Sequence, residues 1–169
     1  MEIESFEGQK DNEKIIASWR QHPWVLFKPS LVVILVIIIG SLPLALSEVS
    51  WATKFLIFFI AVGGVYFALE LYLWLCTMYI LTNERLLAIS QSRLLMRTIN
   101  EVPLRNIQNV SHTKKGLFQM MLDYGSVEIQ TAGSTTAMTL RNVERPYKVQ
   151  QKILTREEGI RKYELGKES

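Results

Sequence analysis

The sequence predicts a membrane-anchored α+β protein, in which a two-helix transmembrane hairpin precedes a small antiparallel β-barrel capped by a C-terminal helix. Three observations support this prediction. Charged residues are nearly absent from residues 29–81, where only Glu48, Lys54 and Glu70 occur. Several short segments in the second half alternate apolar with polar residues, as half-buried strands do. A segment with helical periodicity then begins near Pro146.

Two apolar runs predict the transmembrane hairpin. Residues 29–47 contain no charge, and this length is close to the ~20 residues that cross ~30 Å of hydrocarbon. The second run begins at Phe55, and a span of ~20 residues from there ends at Trp74. Because the polar loop at 48–54 is short, the two helices must be antiparallel. We expect the bilayer to end near Trp74, and the next segment, TMYILT, is rich in strand-forming residues.

This reading divides the chain into four parts. We expect a flexible cytoplasmic N-terminus at 1–24, the hairpin at 25–76, a cytoplasmic domain at 77–156 and a charged tail at 157–169. The first part lacks a sustained apolar period, and the last is dominated by charge.

Charges flanking the spans predict the orientation. Arg20 and Lys28 precede the first span, and the loop between the spans offers only Lys54. Four arginines follow the second span: Arg85, Arg93, Arg97 and Arg105. The positive-inside rule therefore predicts a multi-pass protein of the inner cell membrane with both termini in the cytoplasm.

A secretory signal peptide is an alternative for the first span, because residues 45–47 have small side chains at a cleavage-like spacing. The acidic residues before this span and the second apolar run directly after it favour the hairpin.

Three residues of the second span are candidate intramembrane contacts. Glu70 lies about one turn inside the predicted boundary, where it either extends to the interface or meets another transmembrane partner. Gly64 and Ala68 form a small-xxx-small pair, as do Ser41 and Ala45 in the first span. Packing within the hairpin is sufficient to account for both pairs.

The second half of the chain is predicted to be mostly strand. We expect strands near 77–82, 84–91, 94–102, 107–113, 125–131 and 137–142, with turns at 90–93 and 132–136. Six short strands in this length indicate a curled sheet or small barrel. The closing segment ERPYKVQQKILTREE places Val149 and Ile153 on one helical face, which suits a helix that closes one end of the barrel.

Three motifs in this region resemble bacterial pleckstrin-homology (PH) domains of the YdbS-like family. They comprise an aromatic-x-L-T-x-x-R-L strand, a V-P-L-x-x-I-x-x-V segment and a Y-G-x-V-x-I strand. The matching residues are Tyr79, Leu81, Thr82, Arg85 and Leu86; Val102, Pro103, Leu104, Ile107 and Val110; and Tyr124, Gly125, Val127 and Ile129. The resemblance covers residues 20–155 and implies a PH-like barrel capped by a helix. Asp123 departs from the pattern, since a glycine or apolar residue is common there.

The sequence does not suggest an enzyme. Its two histidines, His22 and His112, are far apart, and its single cysteine, Cys76, provides neither a disulfide framework nor a cysteine-rich zinc site. There is no phosphate-binding glycine loop. We therefore expect no catalytic residue, no metal, no cofactor and no small-molecule substrate.

Charge indicates binding instead. From Thr77 onward the basic residues exceed the acidic ones, and Arg93, Arg97, Lys114 and Lys115 are candidates for contact with lipid or a partner. Ordinary solvated, positive-inside residues would look the same. Nucleic-acid binding is not expected, because no aromatic residues are interleaved with these bases.

These observations leave three hypotheses. The favoured one is a membrane-anchored adaptor or scaffold whose PH-like domain binds a membrane-protein partner or another copy of itself. The alternative is a module that binds anionic lipids of the inner leaflet. A small oligomeric transporter or pore is the third, and only Glu70 supports it.

Overall fold

The computed structural model describes residues 9–10, 12–46, 50–93, 96–132 and 137–165. These residues form seven strands and four α-helices. In chain order the elements are β1 (Ile15–Arg20), α1 (Phe27–Leu46), α2 (Ser50–Cys76), β2 (Met78–Thr82), β3 (Arg85–Arg93), β4 (Met96–Pro103), β5 (Ile107–Thr113), α3 (Leu117–Met121), β6 (Tyr124–Thr131), β7 (Met138–Glu144) and α4 (Pro146–Leu165).

The strands form two antiparallel sheets rather than a closed barrel. The first sheet has the order β1-β2-β3-β4, and the second has the order β5-β6-β7. The prediction of a barrel is thus correct in its strands but wrong in its closure. A 3-10 turn at Leu104–Asn106 redirects the chain from one sheet to the other, so β4 and β5 do not pair. An isolated bridge between Gln21 and Val143 links the two sheets at the other side.

The core lies between the two sheets and α4. Val127 and Ile129 of β6 are fully buried, whereas Glu128 and Gln130 between them are exposed, as their alternation predicts. Burying each such side chain stabilises the fold by about 1.5–3 kcal/mol. The predicted face of α4 closes this core, because Val149 and Ile153 belong to the same buried cluster.

Strand β1 corrects the predicted flexible N-terminus. Residues 15–20 pair with β2, for example Ala17 with Leu81 and Trp19 with Tyr79. Because its partners lie beyond the hairpin, local periodicity gave no sign of this pairing. The hairpin is therefore an insertion between two neighbouring strands of one sheet. Signal-peptide cleavage at 45–47 would remove β1 from that sheet.

Helix α4 corrects the predicted tail. It continues to Leu165, well past the expected boundary at residue 157. The extension is held by packing, since Glu157 is buried and Ile160 packs against the core cluster. One predicted turn also changes: residues 90–93 belong to β3, which extends to Arg93 and pairs there with Met96. Most of the predicted turn at 132–136 lies outside the described residues.

The helices α1 and α2 pack as an antiparallel pair. A Cβ atom added to Gly40 would lie 2.6 Å from Cβ of Phe59, so the backbone of α1 approaches α2 too closely for any side chain there. Gly63 in turn faces Val33 and Val36. By length and composition, both helices are suited to cross a membrane, over Pro23–Leu44 and Trp51–Cys76.

Gly64 and Ala68 do not take part in this packing. Both are exposed, and a Cβ added to Gly64 would have no atom within 4 Å. The predicted packing of the hairpin through these two residues is therefore wrong: Gly63, one position earlier, faces α1. A contact with another chain through Gly64 and Ala68 stays a prediction.

Candidate functional site: the cleft where the hairpin meets the sheets

The hairpin is joined to the domain without a flexible linker. Helix α2 ends at Cys76 and β2 begins at Met78. At this boundary the indole Nε1 of Trp74 donates a hydrogen bond of 3.0 Å to the carbonyl of Gln21, directly after β1. The end of α2 is therefore fastened to the strand that precedes the hairpin.

The two sheets are tied together beside this attachment. The hydroxyl of Tyr79 accepts a hydrogen bond from N–H of Arg141 at 3.0 Å and lies 3.3 Å from the carbonyl of the same residue. Arg141 and Asn142 lie in a bulge of β7, where the register with β6 shifts between Gly125 and Val127. Tyr79, which is 2% exposed, thus satisfies backbone groups that the bulge removes from the ladder.

An open cleft of about 570 Å³ lies between the base of the hairpin and the sheets; we call it the junction cleft. One wall is a polar patch of the first sheet. Ser90 pairs with Thr98, and Ala88 pairs with Asn100, so these four side chains share one face. The cleft is further lined by Gln21, Val25, Leu26, Pro29, Glu70, Leu73, Trp74, Thr77, Tyr79, Gln91, Ala137, Met138, Thr139 and Arg141.

Glu70 and Arg141 are the charged residues among those that line this cleft. Glu70 is half-buried on α2 and lines the cleft from the hairpin, while Arg141 lines it from β7. Within the described part of the chain, Glu70 has no ion-pair or hydrogen-bond partner. Both alternatives for Glu70, extension toward the interface and contact with another transmembrane partner, stay predictions.

The four candidate basic residues lie on or directly after strands of two different sheets. Arg97 lies on β4 in the first sheet, and Arg93 ends β3, with its side chain outside the described part. Lys114 and Lys115 follow β5 in the second sheet. Lys114 forms an ion pair with Asp123, which lowers the pKa of that carboxyl group. Asp123 has a φ of 49°, a left-handed conformation that glycine adopts without strain.

A second cavity, of about 500 Å³, separates α3 from the start of α1; we call it the α3 groove. Phe118 of α3 stacks on Trp24 with ring centroids 5.4 Å apart, and Trp24 stacks on Phe27 at 4.5 Å. Lys28 and Lys115 also line the groove. Helix α3 was not predicted from the sequence, although five apolar residues in KKGLFQMML, directly after two lysines, indicate an apolar segment there.

A buried ion pair joins the N-terminal segment to the turn between β2 and β3. Arg85 donates from Nε and Nη2 to the two carboxylate oxygens of Glu13, at 2.9 and 2.8 Å, and from Nη1 to Glu101 at 2.5 Å. The side chain of Glu13 is fully buried, and Thr82 lies 2.8 Å from Oε1. The hydrogen bonds from Arg85 lower the pKa of Glu13 to about 2, and the same bonds raise the pKa of Arg85. This pair stabilises the fold and lies away from both cavities.

The junction cleft is lined by groups that can form hydrogen bonds. Its polar groups are hydroxyls, amides, one carboxylate and one guanidinium. In the described ranges no three His, Cys, Asp or Glu side chains are grouped in a way that would hold a metal ion.

Two antiparallel sheets closed at one end by a C-terminal helix define a PH-like fold, here interrupted after β1 by a helical hairpin. Residues 28–157 match the family described as "Bacterial PH domain", and the chain belongs to that family. The match is compatible with the YdbS-like group that the motifs resemble.

Two solved structures are similar to this chain. One is a DUF1696 family protein with a pleckstrin-homology domain from Shewanella loihica PV-4, with 11% identity, a TM-score of 0.45 and coverage of 88% of this chain and 85% of that one. The other is a pleckstrin homology domain from Shewanella amazonensis SB2B, also with 11% identity and a TM-score of 0.45, covering 85% and 74%. No curated protein matches the sequence.

Proposed function

We propose that this protein is a non-enzymatic adaptor anchored in the inner membrane, whose PH-like domain binds a protein partner or a second copy at the cytoplasmic face. The fold class supports binding over catalysis, since PH-like domains mostly bind. The partner's surface is expected to meet the domain beside the junction cleft.

The exposure of the hairpin supports the membrane anchor. Only 11% of the most apolar stretch of the first span and 6% of the second is buried inside the protein. The core helix of a soluble protein would be mostly buried. An apolar surface of this size requires a covering, and lipid is the simplest one for two helices of this length. The basic residues around the domain favour the cytoplasmic side for both termini.

The open edge of β4 is the observation that carries the proposal. This strand ends the first sheet, and residues 96–101 are exposed at six consecutive positions. Met96 and Ile99 are among them. An exposed edge of this length presents backbone groups that another strand can pair with. Because Thr98 and Asn100 belong to both β4 and the junction cleft, a strand added here would lie against the cleft.

Purification of the full-length protein from native membranes in mild detergent tests the proposal. Mass spectrometry with quantified stoichiometry is expected to recover one recurrent membrane protein, or additional copies of this chain, in near-equimolar amount. The variant Ile99→Lys places a charge on the open edge and is expected to lower recovery at least tenfold. Gln130→Lys is the matched control, since it adds the same charge at an exposed position on the central strand of the other sheet.

Equal recovery with both variants would exclude the β4 edge as the binding surface. Recovery of neither a partner nor additional copies from wild type would exclude the adaptor function altogether.

Anionic-lipid binding is the second candidate, and the position of Lys115 favours it. This residue and Lys28 line the α3 groove beside the first turn of α1. At the surface of an anionic leaflet, each well-placed base contributes about 1 kcal/mol. With the domain already tethered by two helices, such binding would orient it rather than localise it.

A further inference from the structure

Helix α3 exposes an unusual amount of apolar surface. Leu117 is 77% exposed, Met121 is 81% exposed, and Phe118 and Met120 are both above 60%. These side chains are adjacent in a five-residue helix on a domain whose other large apolar residues are mostly buried. Contiguous apolar surface on a soluble domain marks an interaction site.

The position of α3 indicates what covers it. Phe118 stacks on Trp24, Trp24 stacks on Phe27, and Phe27 is the first residue of α1. Leu31, one turn further along α1, lines the α3 groove together with Leu117. The exposed surface of α3 is therefore continuous with the apolar surface of α1. A bilayer that covers α1 from its first turn reaches α3 as well.

The charges around α3 agree with a lipid surface. Lys28 and Lys115 line the groove, and both are exposed. Basic residues beside exposed apolar side chains are typical of segments that lie in the headgroup region of anionic membranes. Aromatic residues such as Trp24 also favour this depth.

We propose that α3 inserts into the cytoplasmic leaflet beside α1, and that Lys28 and Lys115 bind the phosphates of anionic phospholipids in the α3 groove. This inference rests on the proposed membrane anchor. It adds a second contact with the bilayer, about 5–10 Å deep, which would set the tilt of the PH-like domain and hence the direction in which β4 faces.

Fluorescent labels at single cysteines test the insertion in the full-length protein. In a Cys76→Ala background, an NBD group is attached at Met121→Cys on α3, at Ile57→Cys on the exposed face of α2, or at Lys152→Cys on the exposed side of α4. The protein is reconstituted in vesicles of equal parts phosphatidylcholine and phosphatidylglycerol, with nitroxide lipids as quenchers. The labels at 57 and 121 are expected to be quenched several-fold more than the label at 152.

The three positions separate this inference from the anchor. A quenched label at 57 with an unquenched, water-exposed label at 121 would overturn the insertion of α3 and leave the anchor intact. Unquenched labels at both positions would overturn the anchor itself. A label at 121 that is shielded from water but is not quenched by the nitroxide lipids would identify a contact with protein. That outcome would overturn the insertion of α3.

The two lysines are tested by lipid composition. Quenching at 121 is expected to be at least twofold stronger in the anionic vesicles than in pure phosphatidylcholine, and Lys28→Gln with Lys115→Gln is expected to remove this difference. Lys152→Gln, an exposed base on α4, is the matched control and is expected to preserve it. Equal quenching in both lipids with the native lysines would refute phosphate binding.

Discussion

The hydroxyl of Tyr79 on β2 lies 3.0 Å from the backbone nitrogen of Arg141 on β7, and this contact joins the two sheets beside the hairpin. Tyr79 comes three residues after the end of α2, while Arg141 lies in the bulge of β7 and lines the junction cleft. One side chain therefore connects the end of the first sheet beside the hairpin to the second sheet.

Replacing Tyr79 by Phe should destabilise the protein by about 1–3 kcal/mol, because the N–H and carbonyl of Arg141 lose a partner where the bulge prevents ladder bonding. The measurement is the thermal midpoint of full-length protein in mild detergent. Tyr72→Phe is the control, since that side chain is 48% exposed on α2. Equal midpoints for the two variants would show that the contact contributes nothing.

Stability should fall at acidic pH through Glu13. Its pKa is about 2 in the folded protein, below the ordinary value of 4.5, so its contribution is complete above pH 4.5 and declines as the pH falls toward 2. The shift corresponds to roughly 3 kcal/mol. Thermal midpoints measured between pH 7 and pH 3 are expected to decline less steeply in Glu13→Gln, which starts from a lower midpoint.

Glu84→Gln is the control for this pH series. Glu84 pairs with Lys10 at 2.7 Å, but both side chains are well exposed, and such pairs contribute about 0–1 kcal/mol. A pH profile of Glu13→Gln that runs parallel to the wild type would contradict the assignment to Glu13.

Two glycines of the hairpin should respond in opposite ways to alanine. Gly40→Ala would place a methyl group 2.6 Å from Cβ of Phe59, and separating the helices to admit it should cost about 1–3 kcal/mol. Gly64→Ala meets nothing within 4 Å and should leave the thermal midpoint unchanged or raise it. A comparable loss in both variants would mean that Gly64 packs against another chain.

The proposed orientation of the hairpin predicts a labelling pattern. In a Cys76→Ala background, an impermeant maleimide should label Trp51→Cys in intact spheroplasts, because that orientation puts residue 51, the second residue of α2, at the outer face of the membrane. It should label Lys152→Cys on α4 only after permeabilisation. The reverse pattern would place both termini outside the cytoplasm.

Local patterns were sufficient for much of this architecture. The apolar runs predict α1 and α2, because a helix long enough to span a membrane needs only a sustained apolar sequence. The alternation around Val127 and Met138 predicts β6 and β7, because one face of a strand packs against the core. The basic candidates Lys114 and Lys115 were also visible, although their separation from Arg97 was not. Glu70 was recognised as unusual, but its position in the junction cleft depends on how the hairpin sits on the sheets.

By itself, the sequence determined the two apolar helices, the strands β2–β7 and the apolar face of α4, since each follows from the period of residues close together in the chain. Only the tertiary structure decided that β1 belongs to the sheet, that Glu13 is buried against Arg85, and that α3 lies beside the first turn of α1. These features depend on contacts between residues far apart in sequence. Such contacts form only when the hairpin brings the strands before and after it together, so no local pattern records them.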